Sequence, residues 1–341
     1  MSALPGILEP LAMLQTFQKF DTAVSMPFGD LFATVPNTGP GNTVAIEVYE
    51  YGREVATINT RGADPHRVDR PTRTVQIAKA ISLSESIPIP AGVIKDLRAP
   101  GEWQQANGER EVARCLLELR NRVDRRKALL QAQAVKNSLS FTLPGNIAET
   151  VSMGMSAYNA VTHPHGDASW ATAGTDIVAD LIYYKKLVAQ RAGVNLTRMY
   201  LNSNTAKYLF DNTALAAYWQ ASPAAMNIAV TGQLPPIWGI QPVIVDDGYD
   251  ASGTFTDYMP DKAVVLAPSA ADSPAQIVEC EPQSLLAPAG YKGLFFHTKA
   301  PEGGNANIND GYEVQFQYDF LPTLGANPDA LVYIADVTAT S

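Results

Sequence analysis

NTVAIEVYEYGREVATINT (residues 42–60), RGADPHRVDRPTR (61–73) and TVQIAKAISLSESIPI (74–89) make up the stretch whose reading decides the fold. The outer two segments alternate β-branched or aromatic residues with polar ones, the period of a strand, and the middle one is a polar, turn-rich tip. They predict the two arms of one hairpin. Arms of about 16–19 residues would reach roughly 50–60 Å, far beyond the ordinary strand of about six residues. A ribbon of that length is marginal by itself and must lie across a body, its own or that of another subunit. Arg61, Asp64, His66, Arg67, Asp69, Arg70 and Arg73 at the tip are the candidate inter-subunit contacts.

Immediately downstream, from Glu102 to about Asn137, the period changes to that of a helix. Val112, Leu116, Leu119, Val123, Leu130 and Ala134 follow spacings of 4, 3, 4, 7 and 4 and share one face. Neither Gly nor Pro interrupts residues 109–143, so one long helix with an apolar stripe is predicted. Its charged residues, Arg114, Arg122, Arg125, Arg126 and Lys127, are candidates for an inner-surface or interface role. A coiled coil fits less well, because Arg126 and Lys127 would fall in its seam.

Upstream, Pro5, Pro10, Pro27, Pro36 and Pro40 break residues 1–40, leaving room for a short amphipathic helix from about Pro10 to Phe20. An extended arm over a neighbouring copy is the preferred reading of this segment, with a strand in its own domain as the alternative. Residues 138–174 read as loop. A helix is expected from about Asp176 to Ala192, with Ile177, Leu181, Tyr184 and Val188 on one face, Thr175 capping its start and Gly193 ending it. Then come a buried strand (RMYLN, 198–202), a helix with a possible break near Asn212, and strand, polar hairpin and strand over 242–268. Two long alternating strands, joined by a turn at Leu324 to Pro328, close the sequence. Helices and strands interleave without regular βαβ alternation, which makes the fold class α+β.

The chain has 341 residues, 46% of them hydrophobic, and a net charge of −9. It can bury a real core. No apolar run approaches the roughly 18 residues of a membrane span, and the opening MSALPGILEP lacks the features of a secretion signal, so a soluble protein kept in a cytoplasm, with no membrane partner, is expected. Residues 53–127 carry 15 Lys/Arg against 10 Asp/Glu, whereas the remainder carries 10 against 24. This argues against a dedicated sequence-specific nucleic-acid binder and suits oppositely charged surfaces of neighbouring copies. Cys115 and Cys280 form no CxxC pair and read as inert thiols.

Enzyme signatures are missing: no Walker A loop, GxGxxG, GxSxG or HExxH occurs. His163 and His165 could bind a metal only with a third ligand that their surroundings do not offer. Asp246, Asp247, Asp250, Asp257 and Asp261 lack the order of a calcium loop and read as a solvated turn. His66 and His297 have no evident partner in the sequence. No catalytic residue, cofactor or metal is assigned. A prolonged arm, a prolonged hairpin and a long helix together exceed what one compact monomer can cover, and so indicate a protein that interlocks with copies of itself.

In that order, arm, hairpin, charged helix, mixed domain and returning strands, the chain resembles the Hong Kong 97 phage-type capsid fold, and in particular the lambda-type capsid protein E family. RGADPHRVDRPTRTVQ (61–76) sits where that family has its extended-loop tip, and REVARCLLELRNRVDRRKALLQAQAVK (110–136) matches its spine helix. DIVADLIYYKKLVAQRAGV (176–194), YLNSNTAKYLF (200–210) and MPDKAVVLAP (259–268) resemble its axial domain. The resemblance implies an N-arm at 1–40, an extended loop at 41–90, a peripheral domain at 91–170 and 311–341, and an axial domain at 171–310. It further implies pentamers and hexamers tiling an icosahedral shell around non-specifically packaged double-stranded DNA, assembled in a bacterial cytoplasm. A separate scaffolding protein, a portal and a decoration protein at three-fold positions are the implied partners. Residues 41–78 contain no lysine, so the Lys–Asn crosslinking of one branch of the fold is not expected. An encapsulin-type compartment and an enzyme with a scattered site remain the alternatives.

Overall fold

The computed structural model describes residues 10–19, 24–39, 41–50, 72–98, 102–143, 147–166, 168–220, 234–251, 253–284, 287–299 and 312–340. In chain order they form helix α1 (Pro10–Lys19), strands β1 (Ala33–Pro36), β2 (Thr43–Glu50), β3 (Thr72–Lys79) and β4 (Ile81–Ile89), and helices α2 (Ala91–Arg98) and α3 (Glu102–Ala134). Next come β5 (Ser138–Leu143), β6 (Ile147–Ser152), β7 (Ala160–Val161), α4 (Ile177–Arg191), β8 (Leu196–Leu201), α5 (Ser203–Asp211) and α6 (Thr213–Gln220). The remaining strands are β9 (Gln241–Ile244), β10 (Gly248–Ala251), β11 (Thr254–Asp257), β12 (Val264–Pro268), β13 (Gln276–Glu279), β14 (Phe295–Lys299), β15 (Tyr312–Thr323) and β16 (Val332–Ile334).

Two sheets organise these elements. In the first, the 12-residue β15 is central: β4 runs antiparallel along one edge, β14 and β13 share the other, and β1 joins β13 in parallel. Helix α3 packs on this sheet, and all six residues of the stripe read from the sequence are buried. Gly108 lets α2 approach α3 closely, since a Cβ there would lie 2.8 Å from Leu97 Cγ. The second sheet has the order β7-β16-β12-β8-β9 and carries α4 with Ile177, Leu181, Tyr184 and Val188 buried, the face expected. Its central strand β12 serves both cores by strand alternation, with Val264 and Leu266 in one and Val265 and Ala267 in the other.

Several expectations need correction. The return run 74–89 is not one hairpin arm: β3 pairs with β2, and after Ala80 the chain enters the first sheet as β4. Alternation identifies a strand but not its partner, and here the partner β2 ends at Thr43 while the alternation runs on. Residues 138–174 are not all loop, because β5 and β6 form an antiparallel hairpin whose Leu139, Phe141 and Val151 are buried. Their Ser and Thr content hid the period. The last two strands are neither both long nor paired: β16 has three residues and belongs to the second sheet. Asp176, not Thr175, caps α4, its Oδ1 accepting from Ala179 N at 3.0 Å, while Thr175 Oγ1 donates to Ser169 O at 2.7 Å. In the arm, α1 lies where expected but packs on α3 and β14 of its own chain with Met13 fully buried, and β1 is a strand of its own sheet.

Candidate assembly surface

The β2–β3 hairpin has two unequal faces. Val44, Ile46 and Ala78 point into the core. On the other face Ala45 pairs with Ile77, Glu47 with Val75 and Tyr49 with Arg73, and there Ile77 is 71% and Val75 45% exposed. Glu47 accepts hydrogen bonds from Tyr49 Oη (2.6 Å) and from the Arg73 guanidinium; the Tyr49 bond first and Arg73 with it hold its carboxyl below the ordinary value. Of the tip residues only Arg73 is described; Arg61, Asp64, His66, Arg67, Asp69 and Arg70 lie outside the described residues.

Along α3 the basic residues separate into two sets. Arg114 is exposed, 4.0 Å from Glu111, and Arg122 bridges Glu85 on β4 (3.2 Å) and Glu118 (3.6 Å). Arg125 and Arg126 are exposed and have no salt-bridge partner among the described residues. Arg122, Arg125 and Arg126 form one wall of a groove of about 900 Å³ between α3, β4 and the β10–β11 hairpin, with Leu83, Leu129, Tyr249 and Phe255 supplying apolar surface. Lys127 does not belong with them. It turns into a cleft of its own chain with Asp124, Glu279, Tyr318 and Leu14, where burial lowers its pKa.

The remaining candidate chemistry is accounted for locally. Asp246 accepts from Ser203 N (2.8 Å) and from its hydroxyl at the start of α5, and Asp250 from Gly253 N (2.7 Å). Asp261 accepts from Asn204 (3.0 Å) and Asn202, which hold it below the ordinary carboxyl value. His165 stacks on Tyr183 at 3.4 Å, His163 Nδ1 lies 3.2 Å from Pro164 O, and His297 Nε2 is 2.9 Å from Gln315 Oε1. Among the described residues no three His, Cys, Asp or Glu side chains are grouped to hold a metal. Burial raises the pKa of both thiols, Cys280 to about 11. The sequence reading missed the apolar half of the groove. Its one signal was Phe255, an aromatic residue in the otherwise polar hairpin GTFTD.

No helix among the described residues is long and apolar enough to cross a membrane. Among curated proteins no sequence match is found. Two solved structures are similar over nearly the whole length of both chains. One is the protein of an E. coli CFT073 prophage assigned as its capsid protein (13% identity, TM-score 0.62, 98% of this chain and 99% of that one). The other is a phage-related protein of Bordetella bronchiseptica RB50 (14% identity, TM-score 0.55, 96% and 97%). At such identity the likeness shows the fold alone, the mixed helix-and-sheet fold of phage capsid proteins of the Hong Kong 97 type. The sequence also matches the family Phage major capsid protein E over residues 13–332. With that match spanning all but the two ends, the chain belongs to the phage major capsid protein E family.

Proposed function

We propose that copies of this structural protein associate head to tail into pentamers and hexamers that tile an icosahedral shell around double-stranded DNA in the bacterial cytoplasm. One observation carries the reading: the outer face of the β2–β3 hairpin leaves Ile77 and Val75 in water with no part of its own described chain over them. Leftover apolar surface on a marginal two-stranded ribbon calls for a partner. Family membership supports a second copy as that partner. The basic hairpin tip, Arg61 to Arg73, then reaches an acidic surface of the next subunit, consistent with the charge division along the sequence. Divided by its sheets, the first sheet with α3 is the peripheral domain and the second sheet with α4 the axial domain, which shifts the bounds expected from the sequence: β13 and β14 pass from the axial stretch 171–310 to the peripheral domain, and β7 and β16 pass the other way.

Arg122, Arg125 and Arg126 serve an interface between proteins more readily than a DNA surface, because their groove is half apolar and carries Glu85 and Asp250. A separate scaffolding protein, a portal and a decoration protein at three-fold positions complete the assembly, with shell strength coming from non-covalent contacts. Negative-stain electron microscopy with light scattering tests this. Closed shells or discrete pentamers and hexamers are the expected result, with nucleic acid inside native particles. A protein that stays monomeric at high concentration and with its scaffold present overturns it.

A further inference from the structure

The second sheet carries an exposed aromatic knob at one edge and an aromatic pocket at the other. At the β9 edge, Ile237 and Ile240 exchange both backbone hydrogen bonds (2.8 and 2.9 Å) across the two-residue turn Trp238–Gly239. Both turn residues have positive φ, +52° for Trp238 and +78° for Gly239. Such a turn favours Asn or Gly at its first position, and a bulky side chain there is a conformational outlier. Folding alone gives no reason for this tryptophan. Its side chain leaves the residue 62% exposed, while Ile237 and Ile240 beside it are buried. The turn is held firmly: Pro235 and Pro236 precede it, and Lys185 Nζ donates to Trp238 O at 3.2 Å. A solvent-exposed indole carried on a held turn has the properties of an interface anchor, since little backbone freedom is lost when it docks.

At the opposite edge, beside β7, lies an open pocket of about 550 Å³. Tyr158, Val161, His163, Pro164, His165 and Tyr183 line it. The His165 ring lies flat on Tyr183, interplanar angle 2°, and Arg191 covers the Tyr158 ring at 4.3 Å while Tyr158 remains 58% exposed. These are preformed aromatic faces of the kind an indole stacks against.

We infer that Trp238 of one subunit inserts into the Tyr158–His165–Tyr183 pocket of the next copy around a ring. A second copy is the occupant because knob and pocket lie on opposite edges of one sheet. The contact is therefore heterologous: each copy gives one knob and receives one, and repetition by rotation closes a ring. It also covers β9, whose outer edge has no strand partner among the described residues. The inference rests on the assembly proposed above and names the residues that join neighbours within a ring.

Two experiments test it. Trp238→Asn suits the left-handed turn, so the unassembled subunit keeps or raises its melting temperature, while the concentration needed for shell formation rises by about ten-fold or more. Unchanged assembly of this variant overturns the contact. The second experiment keeps Trp238 and His165, places Pro236→Cys beside the knob and Thr162→Cys beside the pocket, both exposed positions, in a Cys115→Ser background, and treats assembled particles with a short bismaleimide. Within one chain the sheet edges are about 19 Å apart at the strand spacing, too far for that reagent to span. A ladder of crosslinked species up to pentamer and hexamer is expected, and no ladder from either single-cysteine variant. Intact shells without the ladder overturn the knob-and-pocket contact and leave the assembly reading standing. Failure of the unmodified chain to form shells with its scaffold overturns the assembly reading, and this inference with it.

Discussion

Helix α3 and the β2–β3 hairpin are two elements that the sequence pattern marks as long, and they differ in what they leave uncovered. The six apolar stripe residues of the 33-residue α3 are all buried by its own chain. The hairpin buries Val44, Ile46 and Ala78 on one face, yet leaves Ile77 and Val75 exposed on the other. Length alone therefore does not announce an assembly partner. An apolar face left over once the chain has folded does.

The largest expected effect tests the finished side of this comparison. Leu119→Ala removes a fully buried side chain between α3 and the first sheet and should lower folding stability by about 3 kcal/mol, measured by urea unfolding of the unassembled subunit. A loss below about 1 kcal/mol would mean that α3, too, waits for an outside partner.

Even the finished cores contain a weak point. Asp180 is buried beneath α4, with Trp170 Nε1 donating to its Oδ2 at 2.8 Å. Burial raises its carboxyl from 3.8 to about 6; the Trp170 bond opposes the rise and nearby Asp176 adds to it. The folded state thus holds this proton more tightly than the unfolded chain does. Its stabilising contribution is fully present below about pH 4 and is lost as pH rises through 6. Asp180→Asn keeps an acceptor for Trp170 and should flatten the dependence of unfolding free energy on pH between 4 and 7. If the wild type shows no decline there, Asp180 is not the weak point.

A smaller effect is expected at Asn212, the hinge between α5 and α6. Its Oδ1 accepts from Leu215 N (3.0 Å) and its Nδ2 donates to Thr175 O (2.7 Å), all buried. Asn212→Ala removes a helix cap and strands a carbonyl, a loss of about 2 kcal/mol in thermal unfolding. An effect no larger than that of an exposed substitution would show that water replaces both bonds.

Helices were the most legible part of the sequence, because a 3.6-residue stripe such as Val112 to Ala134 specifies both the element and the face that it buries. The break at Asn212 was legible for the related reason that an Asn side chain competes with the backbone and caps the next helix. Strands were legible as strands but not as partners. Nothing in TVQIAKAISLSESIPI marks Ala80 as the point where pairing passes from β2 to β15, since alternation is a local property and pairing is not. Of the candidate assembly surface, the sequence supplied the basic residues of α3 but could not tell Arg126, which faces the groove, from Lys127, which turns inward one residue later. It offered no hint of Trp238 either, because a left-handed turn at Ile-Trp-Gly-Ile lacks the Asn-Gly signature by which such turns are recognised.

The smallest effect on folding bears most directly on the unfinished side of the comparison. Ile77→Ser replaces a side chain that already sits in water in the lone subunit, so its unfolding free energy should stay within about 0.5 kcal/mol of the wild type. In the proposed shell the same isoleucine would be covered, and burying such a side chain contributes about 1.5–3 kcal/mol per contact. Shell formation followed by light scattering should therefore require at least about ten-fold more protein. Should Ile77→Ser instead destabilise the lone subunit as Leu119→Ala does, the outer face of the hairpin is covered by its own chain. The hairpin would then be as complete as α3, and its exposed face would no longer be a reason to infer assembly.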